Sequence, residues 1–309
     1  MEIDLILPSL TTIFILLIIG FICGKFGLAD KDFRKKLTTL LLRTILPVNI
    51  FFAILQPFNK NMLINCGIIL CLSFGVYICA HILAIIITSI LKVDKRSKGL
   101  WKFAMVFPNC AFIGFPILEA LIGGEGIFYG GIANIAYNVY AFTVGIFMIS
   151  SNNTDKQKIQ FKEIYLNPVN ITTAIGLICF ITGYTNVPDV VSEPLKIYGG
   201  LMTPLSMFIL GATLSEMDMK ESLLNVKSYI INFFRLIFIP IILAIIIINL
   251  PIDVVLKEVL VVLASMPCAT MTLLFAEQYD CDTKLAASIV FVSNILCMVT
   301  IPLLLVNLF

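Results

Sequence analysis

The chain has 309 residues, of which 60% are hydrophobic and 13% charged, with a formal net charge of +2 and a single histidine. A soluble domain carries about 25% charged residues, so the polar groups are too few to cover a water-exposed surface and a soluble protein is excluded; the net charge itself says nothing about nucleic acid, and no nucleic-acid partner is expected. The nine cysteines include no C-x-x-C pair and the one histidine has no cysteine cluster beside it, so neither a metal nor a cofactor is expected.

Glu2 and Asp4 precede the first apolar run and no basic residue does, which does not read as a cleavable signal. Runs of bilayer-spanning length, about 20 residues, fall near 5–28, 37–57, 64–91, 101–122, 127–150, 168–187, 195–216, 228–250, 255–276 and 285–307. The second, fourth, seventh and ninth contain internal prolines. An all-α membrane protein with ten transmembrane helices is predicted, with repeats at 1–150 and 168–309 joined by a linker at 151–167.

Sixteen of the 21 Lys and Arg residues fall in the loops between runs 1–2, 3–4, 5–6, 7–8 and 9–10, whereas Lys60, Lys196 and Lys257 lie on the other side. By the positive-inside rule those five loops face the cytoplasm and both termini face outward. Arg43 and Arg235 sit about two turns inside a run and read as snorkelling side chains.

The halves resemble each other in order. Gly20-Phe-Ile-Cys matches Gly176-Leu-Ile-Cys at an offset of 156 residues, Leu46-Pro-Val-Asn-Ile-Phe matches Thr203-Pro-Leu-Ser-Met-Phe at 157, and Phe107-Pro-Asn-Cys-Ala matches Met266-Pro-Cys-Ala-Thr at 159. Five helices is an odd number, so the second copy must insert upside down, the inverted-repeat plan of secondary transporters.

Pro108 and Pro267 stand at equivalent positions of runs four and nine. Proline lacks an N–H and clashes with the preceding turn, so two broken helices at mid-depth are expected. Asn109 can cap the second half-helix of run four, whose N-terminus then offers amides and a positive dipole end to an anion. The crossing is predicted to include Pro108, Pro267, Cys110 and Cys268. Ser265 lies beside it, and Tyr137, Asn138 and Asn294 lie at similar depth with Asn294 matching Asn138 at an offset of 156. Packing kinks and inter-helix hydrogen bonds are the competing reading. Asn49 and Ser206 read as scaffold residues, and Glu119 and Glu277 as interfacial ones without an obvious partner. His81, about 15 Å from a span end at 1.5 Å per residue, suits a proton relay by its pKa range or a packing role.

Pro108-Asn109-Cys-Ala-Phe-Ile-Gly114-Phe-Pro116-Ile-Leu, with Gly123 at the helix end, Ala276-Glu-Gln-Tyr-Asp and Ile301-Pro302-Leu-Leu, resembles the auxin efflux carrier family over essentially the whole chain. That family includes plant PIN proteins and bacterial carriers of malonate, malate and related acids. The resemblance implies crossing broken helices four and nine as in the bile acid sodium symporter-like fold. It further implies a scaffold of helices one, two, six and seven, often dimeric, and a transport domain of the other six. It assigns Asn109 to a carboxylate substrate near the crossover. Bacterial members often have Asp where this chain has Asn134, so Asn134 and His81 are the candidates for ion or proton coupling.

The expectation is a secondary transporter of a small organic anion in the cytoplasmic membrane, working by alternating access, with Asn109, Asn138, Asn294, Tyr137 and Ser265 at the substrate. Export of a monoanion is favoured by an inside-negative potential, about 2.3 kcal/mol per 100 mV. Uptake coupled to Na+ or H+ is the alternative. A membrane enzyme is disfavoured, since no acid, base and nucleophile cluster appears, and a non-transporting receptor is the remaining rival.

Overall fold

A computed structural model of the chain describes residues 3–150 and 160–308. Among the described residues all regular structure is helical. The expected linker at 151–167 therefore falls partly outside them.

The first half contains α1 (Ile3–Lys25), α2 (Lys31–Ile54), α3 (Lys60–Ile90), α4 (Lys95–Val106), α5 (Cys110–Ile122) and α6 (Gly124–Ile149). After the short α7 (Phe161–Tyr165) come α8 (Pro168–Thr182), α9 (Asp189–Glu216), α10 (Met219–Leu224), α11 (Val226–Ile248), α12 (Val254–Ser265), α13 (Met271–Gln278) and α14 (Thr283–Leu308). Six of these, α2, α3, α6, α9, α11 and α14, are long and apolar enough to cross a bilayer. Apolar stretches of α1, α5 and α8 are shorter. Each predicted apolar run is helical, the fourth and ninth as the half-helix pairs α4/α5 and α12/α13.

Side-chain caps begin several of these helices. Asp30 accepts the Phe33 N–H at 2.7 Å, Asn59 the Asn61 N–H at 2.9 Å and Asn167 the Val169 N–H at 2.9 Å. Each satisfies a helix-end donor that has no intrahelical partner. Gly123, with φ of +72° and ψ of −146°, makes the turn from α5 into α6; that region is accessible only to glycine.

Prolines account for three of the four irregular turns among the described residues. Wide π turns occur at Leu41–Ile45, Cys110–Gly114, Ala141–Gly145 and Phe234–Phe238. In three of them the residue four positions ahead of a proline lies inside the turn: Arg43 before Pro47, Phe112 before Pro116 and Leu236 before Pro240. A proline ring would strike that carbonyl in a regular helix, and the extra residue per turn carries the carbonyl clear.

Helix α1 packs on α9 and α8 packs on α2. The short sequence matches link α1 with α8 and α2 with α9, so each matched helix packs on a member of the other matched pair. Glycines set the α1–α9 approach: a Cβ on Gly20 would overlap the Phe208 carbonyl, and one on Gly211 would overlap the Leu17 carbonyl. Ile15, Ile18, Ile19 and Ile22 of α1 and Ile171, Ile175 and Ile178 of α8 form exposed apolar stripes, at the spacing that gathers side chains on one helix face.

Gly211→Ala is expected to destabilise the protein by about 1–3 kcal/mol through overpacking, read as a lowered melting temperature of the purified protein in detergent. Gly75→Ala is the control, since nothing lies within 4 Å of its added Cβ. It should be neutral or stabilising, as Ala is the better helix former. Equal effects from both would refute the role of close α1–α9 contact.

Candidate functional site

Between α4 and α5, and between α12 and α13, the chain is extended, and the two interruptions cross. Pro108 and Cys268 face each other as an antiparallel bridge. The Asn109 N–H donates to the Pro267 carbonyl at 2.7 Å, and the Ala269 N–H donates to the Phe107 carbonyl at 3.0 Å. The Cys268 N–H donates to Ser293 Oγ of α14 at 2.7 Å. Backbone groups released by the two prolines are thus bonded within the protein, as membrane depth requires.

Arg235, in the π turn of α11, completes the crossing. Its Nε and Nη2 donate to the Met266 carbonyl at 3.1 and 2.8 Å, its Nη2 also to Ala264 at 3.0 Å, and its Nη1 to Met105 at 3.2 Å. The side chain is 1% exposed. The snorkelling expectation is therefore corrected for Arg235: the planar fork of donors is turned inward, onto carbonyls at the ends of both half-helices α4 and α12. The signal in the sequence was an Arg five residues before Pro240 and well inside an apolar run, where a charge is functional by default. Arg43, by contrast, is exposed.

A cavity of about 800 Å³ opens on one side of the crossing. Its floor is Pro108, Asn109, Cys110, Ala269 and Thr270; one wall is Asn134, Tyr137 and Asn138 of α6; residues of α2, α8 and α9 complete the lining, and Arg43, Lys162 and Glu163 also contribute. Asn109 is 3% exposed. Its Oδ1 accepts the Phe112 N–H at 3.3 Å, the cap the sequence implied, while its Nδ2 has no protein partner. A buried amide donor left open is costly unless something fills it. Asn138 Nδ2 donates to Asn170 Oδ1 at 2.9 Å, and Asn170 Nδ2 to the Ile164 carbonyl at 2.8 Å. Tyr137 stands edge-on to Phe107, with ring centroids 5.8 Å apart.

Other predicted residues lie away from this cavity. Asn294 is fully buried, donates to the Val290 carbonyl at 2.7 Å and is not part of the wall, which α14 reaches through Val290. Ser265 Oγ bonds back to the Val261 carbonyl at 2.8 Å. Cys268 Sγ meets Thr272 Oγ1 at 3.2 Å behind the floor. His81 Nδ1 pairs with Tyr140 Oη at 3.1 Å, outside the cavity lining.

Glu119 has partners that the sequence did not reveal. It is half-buried; Asn49 Nδ2 donates to its Oε1 at 3.1 Å and Thr203 Oγ1 to its Oε2 at 2.6 Å. Asn49 also donates to the Gly199 carbonyl at 3.3 Å. The cavity uses residues 38–46 of α2, 108–112 of the α5 end and 209–217 of α9. The Glu119 contacts, at Asn49, Glu119 and Thr203, lie on the same three helices beyond these stretches. The crossing is thus open to a cavity on one side and tied to α2 and α9 on the other.

Residues 5–305 match the model of the membrane transport protein family. An uncharacterized transporter of Methanocaldococcus jannaschii is 24% identical over 298 residues, covering 94% of this chain and 95% of the relative. An uncharacterized transporter of Methanothermobacter thermautotrophicus is 22% identical over 306 residues, covering 96% of each. With its apolar helices of spanning length, the chain is a multi-pass membrane transporter and belongs to the auxin efflux carrier family.

Proposed function

We propose that the protein exports a small carboxylate across the cytoplasmic membrane by alternating access, binding it at the crossing of the two broken helices. The observation that carries this reading is Asn109: its oxygen is committed to the helix cap and its Nδ2 is left as an open donor on the cavity floor. A carboxylate accepts and never donates, so it is the matching group. The α5 N-terminus adds its dipole, and Tyr137 and Asn138 supply further polar atoms on the wall.

In this reading ten spans form two inverted five-helix repeats, residues 1–150 and 168–309. The reciprocal packing of α1 on α9 and α8 on α2 supports that symmetry. Helices α1, α2, α8 and α9 act as scaffold and the remaining spans move against it. The basic loops lie in the cytoplasm, and the cavity, with Arg43 and Lys162 in its lining, faces that side. The Asn49–Glu119–Thr203 contacts then close the outer side.

Asn109→Ala should weaken carboxylate binding about tenfold to a hundredfold, the worth of one hydrogen bond to a charged group. Asn109→Asp should abolish it by like-charge repulsion. The measurements are thermal shift across a panel of mono- and dicarboxylates and counterflow of malonate and malate in proteoliposomes. Responses equal to wild type in both variants would remove the site.

Glu119→Ala should loosen the outer closure by about 1–3 kcal/mol, the cost of buried groups left unpartnered. Hydrogen exchange should accelerate over residues 115–122 and 199–206 while the crossing at 107–110 stays protected. Unchanged exchange in both segments would show that Glu119 does not hold the closure.

A further inference from the structure

Behind Pro108, on the side away from the cavity, Arg235 lines a narrow void of about 10 Å³ together with Ser73 and Tyr77. Three features of this void stand together. Its guanidinium takes the carbonyls of Met105, Ala264 and Met266, which lie at the C-terminal ends of α4 and α12, where two half-helix dipoles are negative. Arg235 forms no ion pair with a carboxylate among the described residues. Ser73 Oγ faces the same void, 3% exposed and without a partner. Carbonyls converging at half-helix C-termini within a membrane are the ligands with which broken-helix carriers hold a coupling cation.

We infer that Arg235 is a resident cation standing where a coupling sodium would bind, so that the carrier moves its anion without sodium. Two helix C-termini contribute roughly half a negative charge each, and one guanidinium balances them. A tethered charge is present in every conformation of the cycle, so no dissolved cation need enter or leave. The anion in this statement rests on the proposed function; the cation site does not, and can be tested without a substrate.

The experiment compares the melting temperature of purified protein in sodium chloride and in choline chloride. Wild type is expected to melt at the same temperature in both. Arg235→Ala is expected to melt lower in choline and to regain part of the loss saturably as sodium is added, as binding to the native state alone requires. Arg235→Lys, which keeps the charge, should stay indifferent to sodium. Saturable stabilisation of wild type by sodium overturns the inference, as does a folded Arg235→Ala that melts identically in the two salts. Where Arg235→Ala does not purify, Arg235→Gln is read in its place, and where neither does the wild-type comparison decides. A protein that passes but exchanges no carboxylate in proteoliposomes keeps its resident cation and loses the anion reading. One that exchanges carboxylate only when sodium is present loses the resident cation and keeps the anion reading.

Discussion

Inside a bilayer a backbone N–H or C=O without a partner costs several kcal/mol, and this chain interrupts two helices there. The interruptions satisfy each other: Asn109 and Ala269 donate across the crossing to Pro267 and Phe107, Ser293 takes the Cys268 amide, and Arg235 takes the carbonyls of Met105, Ala264 and Met266. An exposed crossing would be unstable, so α6, α11 and α14 must surround it, and the buried aromatic residues Phe103, Phe107, Phe115 and Phe291 fill the space between. The site follows from this arrangement. Asn109 is fixed by its own N–H and by its capping oxygen, and only its Nδ2 is free to meet a ligand.

Proline acts here at two levels. Pro108 and Pro267 open the helices, and Pro47, Pro116 and Pro240 impose wide turns one step upstream. The turn before Pro240 holds Arg235. An inserted residue rotates everything on its N-terminal side about the helix axis, so the π turn helps to set which face carries the guanidinium. A buried, unpaired Arg would be strongly destabilising; four hydrogen bonds to carbonyls offset that cost, and charge-assisted bonds of this kind contribute roughly 1.5–3 kcal/mol each. The same residue that tolerates the break therefore also fixes its geometry.

What could be read from the chain beforehand depended on range. The apolar runs, the two prolines at matching offsets and the Asn109 cap are local patterns, and each is present in the fold. Arg235 was misread because depth within a run says nothing about rotation: the same depth serves an exposed side chain such as Arg43 and an inward one. The partners of Glu119 could not be read because they lie 70 and 84 residues away in sequence, beyond any spacing rule. Asn294 shows the limit of reasoning from repeats. It matches Asn138 by offset, yet the cavity meets the α6 wall at Asn138 and reaches α14 only at Val290.

That asymmetry bears on how an anion would be held. Helix α5 is capped by Asn109, whereas Thr270 at the start of α13 makes no side-chain cap, so the open donor belongs to the first of the two broken helices alone. On the proposed reading the carboxylate meets neutral donors and a helix dipole at the crossing, in a cavity that Arg43, Lys162 and Glu163 also line, while Arg235 is shared among three carbonyls. Neutral donors give weaker hydrogen bonds than a facing guanidinium would. Binding that is tight in every state lowers no barrier between them. Keeping the charge structural and leaving the ligand to an amide allows the anion to be recognised and still released.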